Sequence, residues 1–301
     1  MRFFKLAIDL CIIFYSCNER TERTKSYDYL SLSNSKTPDS IPHIFRKDLT
    51  SDNQIIHRGV FSPDYQQFYF TVSNIDYSNF TIKSIHRIND EWSSPNIAFF
   101  NSDFDDHGMS FAPDGNSIYF SSTRKVNNDS IPDTWHLWKT TRINKKWTQP
   151  EFIDIPNLRT KLVSHPSITT RGRLYFHVSN LDYSDMHLLY SDQVNGKFQN
   201  AKPVFSKHFD PSNTHKCTPY ISPNEDYIIY AQIEESLKLH ICYKDKNQEW
   251  GEPIKLNPLI NHNNQGNPFV TSDNRFLLFA TGNHNENDWE LKCVKMDNLG
   301  N

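Results

Sequence analysis

Four histidines, His57, His107, His165 and His215, are the side chains whose type and placement could do chemistry in this sequence. The first three stand three or four residues ahead of an apolar position that recurs along the chain, and His215 stands six ahead of it. Imidazoles brought to one end of a shared axis would bind a divalent metal or an acidic ligand. Asp103, Asp105 and Asp106 could add carboxylate oxygens to the same set. A metal site would draw on His107, His165 and His215. The competing use is structural: a histidine opening an inner strand hydrogen-bonds the backbone of its own repeat. Recurrence with the repeat favours that use, so the expectation is no cofactor.

Other polar residues divide between turns and recognition loops. Asp64, Asp114 and Asp273 sit in Pro-Asp-Gly-like turns, where bonding of the local backbone accounts for them. Ser73-Asn74-Ile75-Asp76-Tyr77-Ser78 and Ser179-Asn180-Leu181-Asp182-Tyr183-Ser184 are near copies. Tyr77 and Tyr183 there suit sugar or peptide contacts, as does Arg124 in the longer loop from Thr123 to Asp133, because loops on a rigid scaffold carry recognition. Residual repeat similarity holding a turn accounts for the copies equally well. No Gly-x-Ser-x-Gly, Gly-x-x-x-x-Gly-Lys, Gly-x-Gly-x-x-Gly or His-Glu-x-x-His occurs, and no Cys pair has zinc spacing.

The elements that position these residues are repeats. Ser110 to Ser122, SFAPDGNSIYFSS, reads as two strands around a Pro-Asp-Gly-Asn turn. Related stretches begin at Gly59, Pro166, Pro219 and Pro268. With Phe61, Phe111, Ile168, Ile221 and Val270 equivalent, the offsets are 50, 57, 53 and 49 residues. Such a period denotes an array of one supersecondary unit. A third strand follows each hairpin (FTIKSIH, WHLWKTT, MHLLYS, LKLHICY, WELKCVK). A fourth, marked by Trp-x-x-Pro or a degraded copy, begins at Trp92, Trp147, Phe198 and Trp250. One such unit cannot bury both faces alone, so neighbours stack.

The fifth repeat ends without its fourth strand, and Pro42-His43-Ile44-Phe45 supplies one like Pro95-Asn96-Ile97-Ala98. An amino-terminal strand completing the last repeat closes a ring and removes the free sheet edge. The expected fold is therefore an all-β propeller of five four-stranded blades over residues 41–301. The repeats lie near 57–100, 107–155, 165–205, 215–257 and 266–296, and the closing strand near 41–49. A sixth blade would need residues that the stretch before Ile41 does not supply.

The Ser-Pro-Asp-Gly-x-x-Ile-Tyr-Phe-x-Ser pattern with its Trp-x-x-Pro strand resembles the PD40 (WD40-like, TolB-type) propeller repeat of bacterial envelope proteins. Phe111-Ala112-Pro113-Asp114-Gly115 and Phe61-Ser62-Pro63-Asp64 are the cleanest copies. The resemblance implies a binding propeller or an enzyme, since the fold hosts both.

With Lys+Arg at 32 against Asp+Glu at 35, the net charge of −3 offers nucleic acid no basic surface. Residues 1–17 have the layout of an export signal: Arg2 and Lys5, then an apolar run from Leu6 to Tyr15 too short to span a bilayer. Phe14-Tyr15-Ser16-Cys17 resembles the lipobox of bacterial lipoproteins, which makes Cys17 the lipidated residue. Polar residues 18–40 read as a tether. Cys217, Cys242 and Cys293 are an odd set on the mature body and read as packing residues.

These readings combine into a lipid-anchored cell-envelope propeller, on the outer membrane and facing periplasm or exterior, that binds a protein, peptide or glycan without catalysis. The alternative is an enzyme acting at the channel. A metal-dependent polysaccharide lyase would use the histidines, and a glycoside hydrolase would use paired carboxylates.

Overall fold

The computed structural model describes residues 41–299 apart from 52, 90, 206–214 and 284–287. The signal, Cys17 and the tether lie outside the described residues. The chain forms a five-bladed β-propeller closed by its amino-terminal strand, as the repeats predict.

Each blade is an antiparallel sheet, with strands A to D running from the axis outward. The A strands are Gln54–Phe61, Asp106–Phe111, Leu162–Ile168, Lys216–Ile221 and Asn264–Val270. The B strands are Gln67–Asn74, Ser117–Ser122, Leu174–Ser179, Tyr227–Ile233 and Phe276–Gly282. The C strands are Thr81–Ile88, His136–Ile143, His187–Ser191, Leu237–Tyr243 and Glu290–Lys295. The D strands are the short pairs Asn96–Ile97, Glu151–Phe152, Lys202–Pro203, Ile254–Lys255 and His43–Ile44. The A strands of successive blades contact one another in a closed ring.

Stacking on both faces explains the strand composition. Ser117–Ser122, Leu174–Ser179 and Phe276–Gly282 are buried at every position, because a strand covered on both faces has no solvent side. Alternate residues of one strand therefore serve two interfaces. Leu277 and Phe279 pack with Ile229, Ala231 and Val270 between blades 4 and 5. Phe276 and Leu278 pack with Phe61, Phe68 and Phe70 between blades 5 and 1. The other three clusters fill the interfaces between blades 1 and 2, 2 and 3, and 3 and 4. The free thiols Cys217, Cys242 and Cys293 are buried in these clusters.

The fourth strands differ from the continuous segments the sequence suggests. Glu91–Trp92 pairs with Arg87–Ile88, and Asn96–Ile97 pairs separately with Lys83–Ser84. Pro95 lies between the two patches without an amide to donate, so one ladder becomes two. In blade 3 the Phe198 segment instead forms a hairpin with Gln193–Val194, and Lys202–Pro203 takes the outer edge.

Closure is made by His43 opposite Cys293 and Ile44 opposite Lys292. The Phe45 amide then donates to the Leu291 carbonyl at 2.7 Å. The Phe45 ring enters the interface with centroids 5.2 Å from Phe68 and 6.0 Å from Phe61. Phe45→Ala should lower unfolding free energy in urea by about 3 kcal/mol or more. Ile44→Ala, an exposed residue of the same strand, should cost under about 1 kcal/mol. Equal losses would mean that the backbone ladder, and not the Phe45 side chain, secures the ring.

Candidate functional site

Every inner strand departs from regular pairing at its upper end. The register shifts between Ile56 and Arg58, His107 and Ser110, Ser164 and Ser167, Cys217 and Tyr220, and Gly266 and Phe269. A bulge of this kind bends the strand and re-aims its side chains. In four blades the bulge holds a residue in the left-handed region: Gly108 (φ 61°), His165 (55°), Thr218 (47°) and Asn267 (54°). Glycine suits this position in blade 2, where a Cβ would lie 3.1 Å from His165 Cδ2.

The bulges tie one blade to the next. The His165 amide donates to Ser121 Oγ (2.9 Å), the Thr218 amide to His177 Nδ1 (3.4 Å), and the Asn267 amide to Thr218 Oγ1 (3.2 Å). Each acceptor belongs to the preceding blade.

Around this belt the structure gathers three of the four predicted histidines and one unpredicted. His107 and His165 meet edge to face with ring centroids 4.4 Å apart, and His165 stacks on His177 at 4.9 Å. Trp135 lies 4.2 Å from His107, and Phe80 bridges His107 (5.4 Å) to His57 (4.9 Å). Ser164 Oγ stands 3.0 Å from both His165 Nδ1 and His177 Nε2. With the Thr218 amide on His177 Nδ1, the His177 proton is on Nε2 and faces Ser164. The Ser164 hydroxyl then donates to His165 Nδ1, which places the His165 proton on Nε2. His57 is partly buried, with its Nε2 2.7 Å from Ser73 Oγ. Thus His57 and His165 bond side chains of their own blades, not the backbone that sequence reasoning suggests.

His215 does not join this group. It is exposed, just outside its inner strand, and its carbonyl accepts from the Ile233 amide. Among the described residues no three His, Cys, Asp or Glu side chains converge as a metal set. The neighbouring carboxylates are engaged elsewhere. Asp106 is fully buried and accepts from the Ser102 amide (2.7 Å) and Arg124 Nη2 (2.8 Å), while Asp105 accepts from the Phe80 amide at 2.8 Å. Asp103 is exposed.

Arg124, expected on a recognition loop, instead turns inward. It donates to Asp106, Ser122 Oγ and the Phe100 carbonyl, and lies over the rings of Phe120 (5.0 Å) and Trp138 (5.3 Å). A planar cation with five donors can satisfy a buried carboxylate and an aromatic wall together. Tyr77 is likewise occupied: its hydroxyl accepts from Trp289 Nε1 at 2.8 Å, joining blades 1 and 5. Tyr183 is 56 % exposed. Both tyrosines sit at positive φ in matching turns, where Asp76 accepts from Ser78 and Asp182 from Ser184. The duplicated sequence therefore encodes one turn twice.

Sequence reasoning missed His177, Trp135, Phe80 and Arg58. His177 offered a weak signal as the imidazole inside LYFHVS. Arg58 offered a stronger one, as a cation within the run Ile55-Ile56-His57-Arg58-Gly59-Val60-Phe61.

No family model matches the chain, and no curated protein sequence matches it. Solved structures do resemble it. A TolB-like protein from Agrobacterium tumefaciens has a TM-score of 0.54 at 11 % identity, covering 84 % of this chain and 81 % of that one. The likeness is one of fold. A protein of unknown function from Dyadobacter fermentans matches at TM-score 0.50 and 11 % identity, over 85 % of this chain and 82 % of that one. TolB from Acinetobacter baumannii gives 0.49 at 12 % identity, over 84 % of this chain and 57 % of that one.

Burial holds the histidines neutral. It lowers His57 and His177 from 6.5 to about 4. His107 and His165 lie well below the ordinary value, through burial first and then the neighbouring imidazole and Arg58 charges. Their pKa values in the folded state thus lie below the unfolded one, and above about pH 6.5 neither state is charged. As pH falls below that, the unfolded chain takes up protons that the folded chain refuses, so stability declines toward about pH 4. His177 alone should cost about 3 kcal/mol over that span. Urea midpoints should fall steadily from pH 7 to 5, with ring resonances of His107, His165 and His177 still neutral at pH 6. A constant midpoint with ordinary titration would disprove this account.

Proposed function

We propose that this chain is a non-catalytic recognition propeller of the bacterial cell envelope, which takes a protein, peptide or glycan partner on the face bearing the histidine end of the channel. The supporting observation is the placement of exposed apolar side chains. Strand A begins and strand B ends on that face, so the B-to-C and D-to-A loops lie there. Six exposed residues stand in those loops: Ile75, Phe99, Phe104, Leu181, Tyr183 and Leu259. Apolar groups held in water by rigid loops mark contact surfaces. The enzymatic alternative has less support, because Asp106 is committed to Arg124 and His215 stands apart from the other histidines.

Photo-crosslinking in intact envelopes tests the reading. The wild-type chain should give one saturable adduct, reduced at least tenfold by Leu181→Asp with Tyr183→Asp. Ile143→Asp, at an exposed site on an outer strand, should leave it unchanged. Equal crosslinking by all three proteins would eliminate this face as the binding surface.

Anchoring belongs to the same reading, through the resemblance of Phe14-Tyr15-Ser16-Cys17 to a lipobox. No helix of the described residues is long and apolar enough to cross a membrane. Cys17→Ala should abolish incorporation of labelled palmitate and move the protein from the membrane pellet to the soluble fraction. Retention of label in the variant would remove Cys17 as the acceptor.

A further inference from the structure

Arg58 is the largest side chain the fold encloses completely, at 1 % exposure. None of its three guanidinium nitrogens has a hydrogen-bond partner among the described residues. Other cations at blade interfaces are paired: Arg124 with Asp106 at 2.8 Å, and Arg173 with Asp192 at 2.7 Å and Glu225 at 3.1 Å. Arginine cannot escape burial by losing its proton at any physiological pH. An enclosed cation therefore needs a counter-charge.

Arg58 follows directly on the bulge of its inner strand, at the level where the five A strands converge. His107 of blade 2, His165 of blade 3 and Tyr220 of blade 4 are near enough to feel its charge. Nearer the Pro-Asp-Gly turns, Phe269 closes the channel. It packs against three of the inter-blade clusters, with centroids 6.1 Å from Tyr220 and 6.5 Å from Phe61. On the opposite side stand His107 and His165. Thr71 lies opposite Arg58 in the strand register, and opposed side chains share one face of a sheet. The Thr71 hydroxyl is also buried without a partner, as is the Ser110 hydroxyl on the adjacent inner strand. An aromatic floor, an imidazole roof and unmet donors between them describe a compartment for something small and negative.

We propose that the central channel holds one small monovalent anion, of chloride or formate size, seated on the Arg58 guanidinium and the Thr71 hydroxyl. Enclosure sets the size: a peptide or sugar carboxylate would have to displace the histidine roof, whereas a free ion needs only transient opening. This site is independent of the partner surface proposed above.

The test uses the full chain with gluconate replaced by chloride or formate at constant ionic strength. The melting temperature should rise with the logarithm of anion concentration, by roughly 4 °C at ten times Kd, and chloride-35 resonance should broaden in proportion to protein. Arg58→Met should abolish both responses. Arg58→Lys, which keeps the charge and loses the fork, should weaken binding about tenfold. If Arg58→Met does not fold, the wild-type broadening and the Arg58→Lys titration decide. Equal melting of wild type in chloride and gluconate with no broadening would overturn the proposal, as would an Arg58→Met protein that retains the chloride response.

Discussion

The propeller depends on the extra residue in each inner strand. Five strands converging on one axis cannot run as regular ladders to their ends, because their side chains would compete for the same space. The bulge bends each strand there and turns one amide away from its own sheet. In blades 3, 4 and 5 that amide bonds a side chain of the preceding blade: Ser121, His177 and Thr218. Holding His165 and Thr218 in the left-handed region costs each roughly 1–2 kcal/mol. The bond across the interface, together with close packing at the axis, offsets that cost. Thr218 serves twice, since its amide donates backward to blade 3 while its hydroxyl accepts from blade 5.

Convergence also fixes the electrostatics of the channel. Imidazoles brought edge to face by the bulges exclude water from one another, and the same crowding that packs them disfavours their charged form. The Ser164 hydroxyl relays one hydrogen bond between His165 and His177, so the two rings have defined tautomers. Within reach of His107 and His165 is the buried charge of Arg58, which cannot discharge. A neutral roof over a permanent charge is consistent with imidazole acting here as a polar packing group and not as an acid or base.

Much of this fold was legible because it repeats. Turn residues at fixed offsets gave the number of blades, and Pro42-His43-Ile44-Phe45 gave the closure. Three of the four gathered histidines were legible for the same reason. His177 and Arg58 were not, because each occurs in one blade only and carries no periodic signal. Arg124 misled for a physical reason: loop position predicts exposure of the backbone, but a long side chain at the loop's first turn can reach the buried Asp106 behind it. The outer strands were blurred because proline marks their location while interrupting the ladder that would define their length.

The two faces of the ring use their polar groups differently, and that asymmetry bears on the proposed recognition face. On the turn face, tyrosines and backbone amides stitch adjacent blades. Ser272 and the Asp273 amide bond the Tyr65 hydroxyl, Tyr175 donates to Glu225 at 2.6 Å, and Tyr227 bonds Asn274. The Thr170 amide adds a bond to the Pro223 carbonyl at 2.8 Å. Groups committed to scaffold bonds are poor recognition elements, since a ligand would have to replace what it breaks. On the histidine face, the blade 3 turn satisfies itself internally and leaves Leu181 and Tyr183 projecting, whereas the matching blade 1 turn is tied to blade 5 through Tyr77 and Trp289. Sequence change at Leu181 and Tyr183 costs the scaffold little, so specificity can vary at that turn while the ring stays closed.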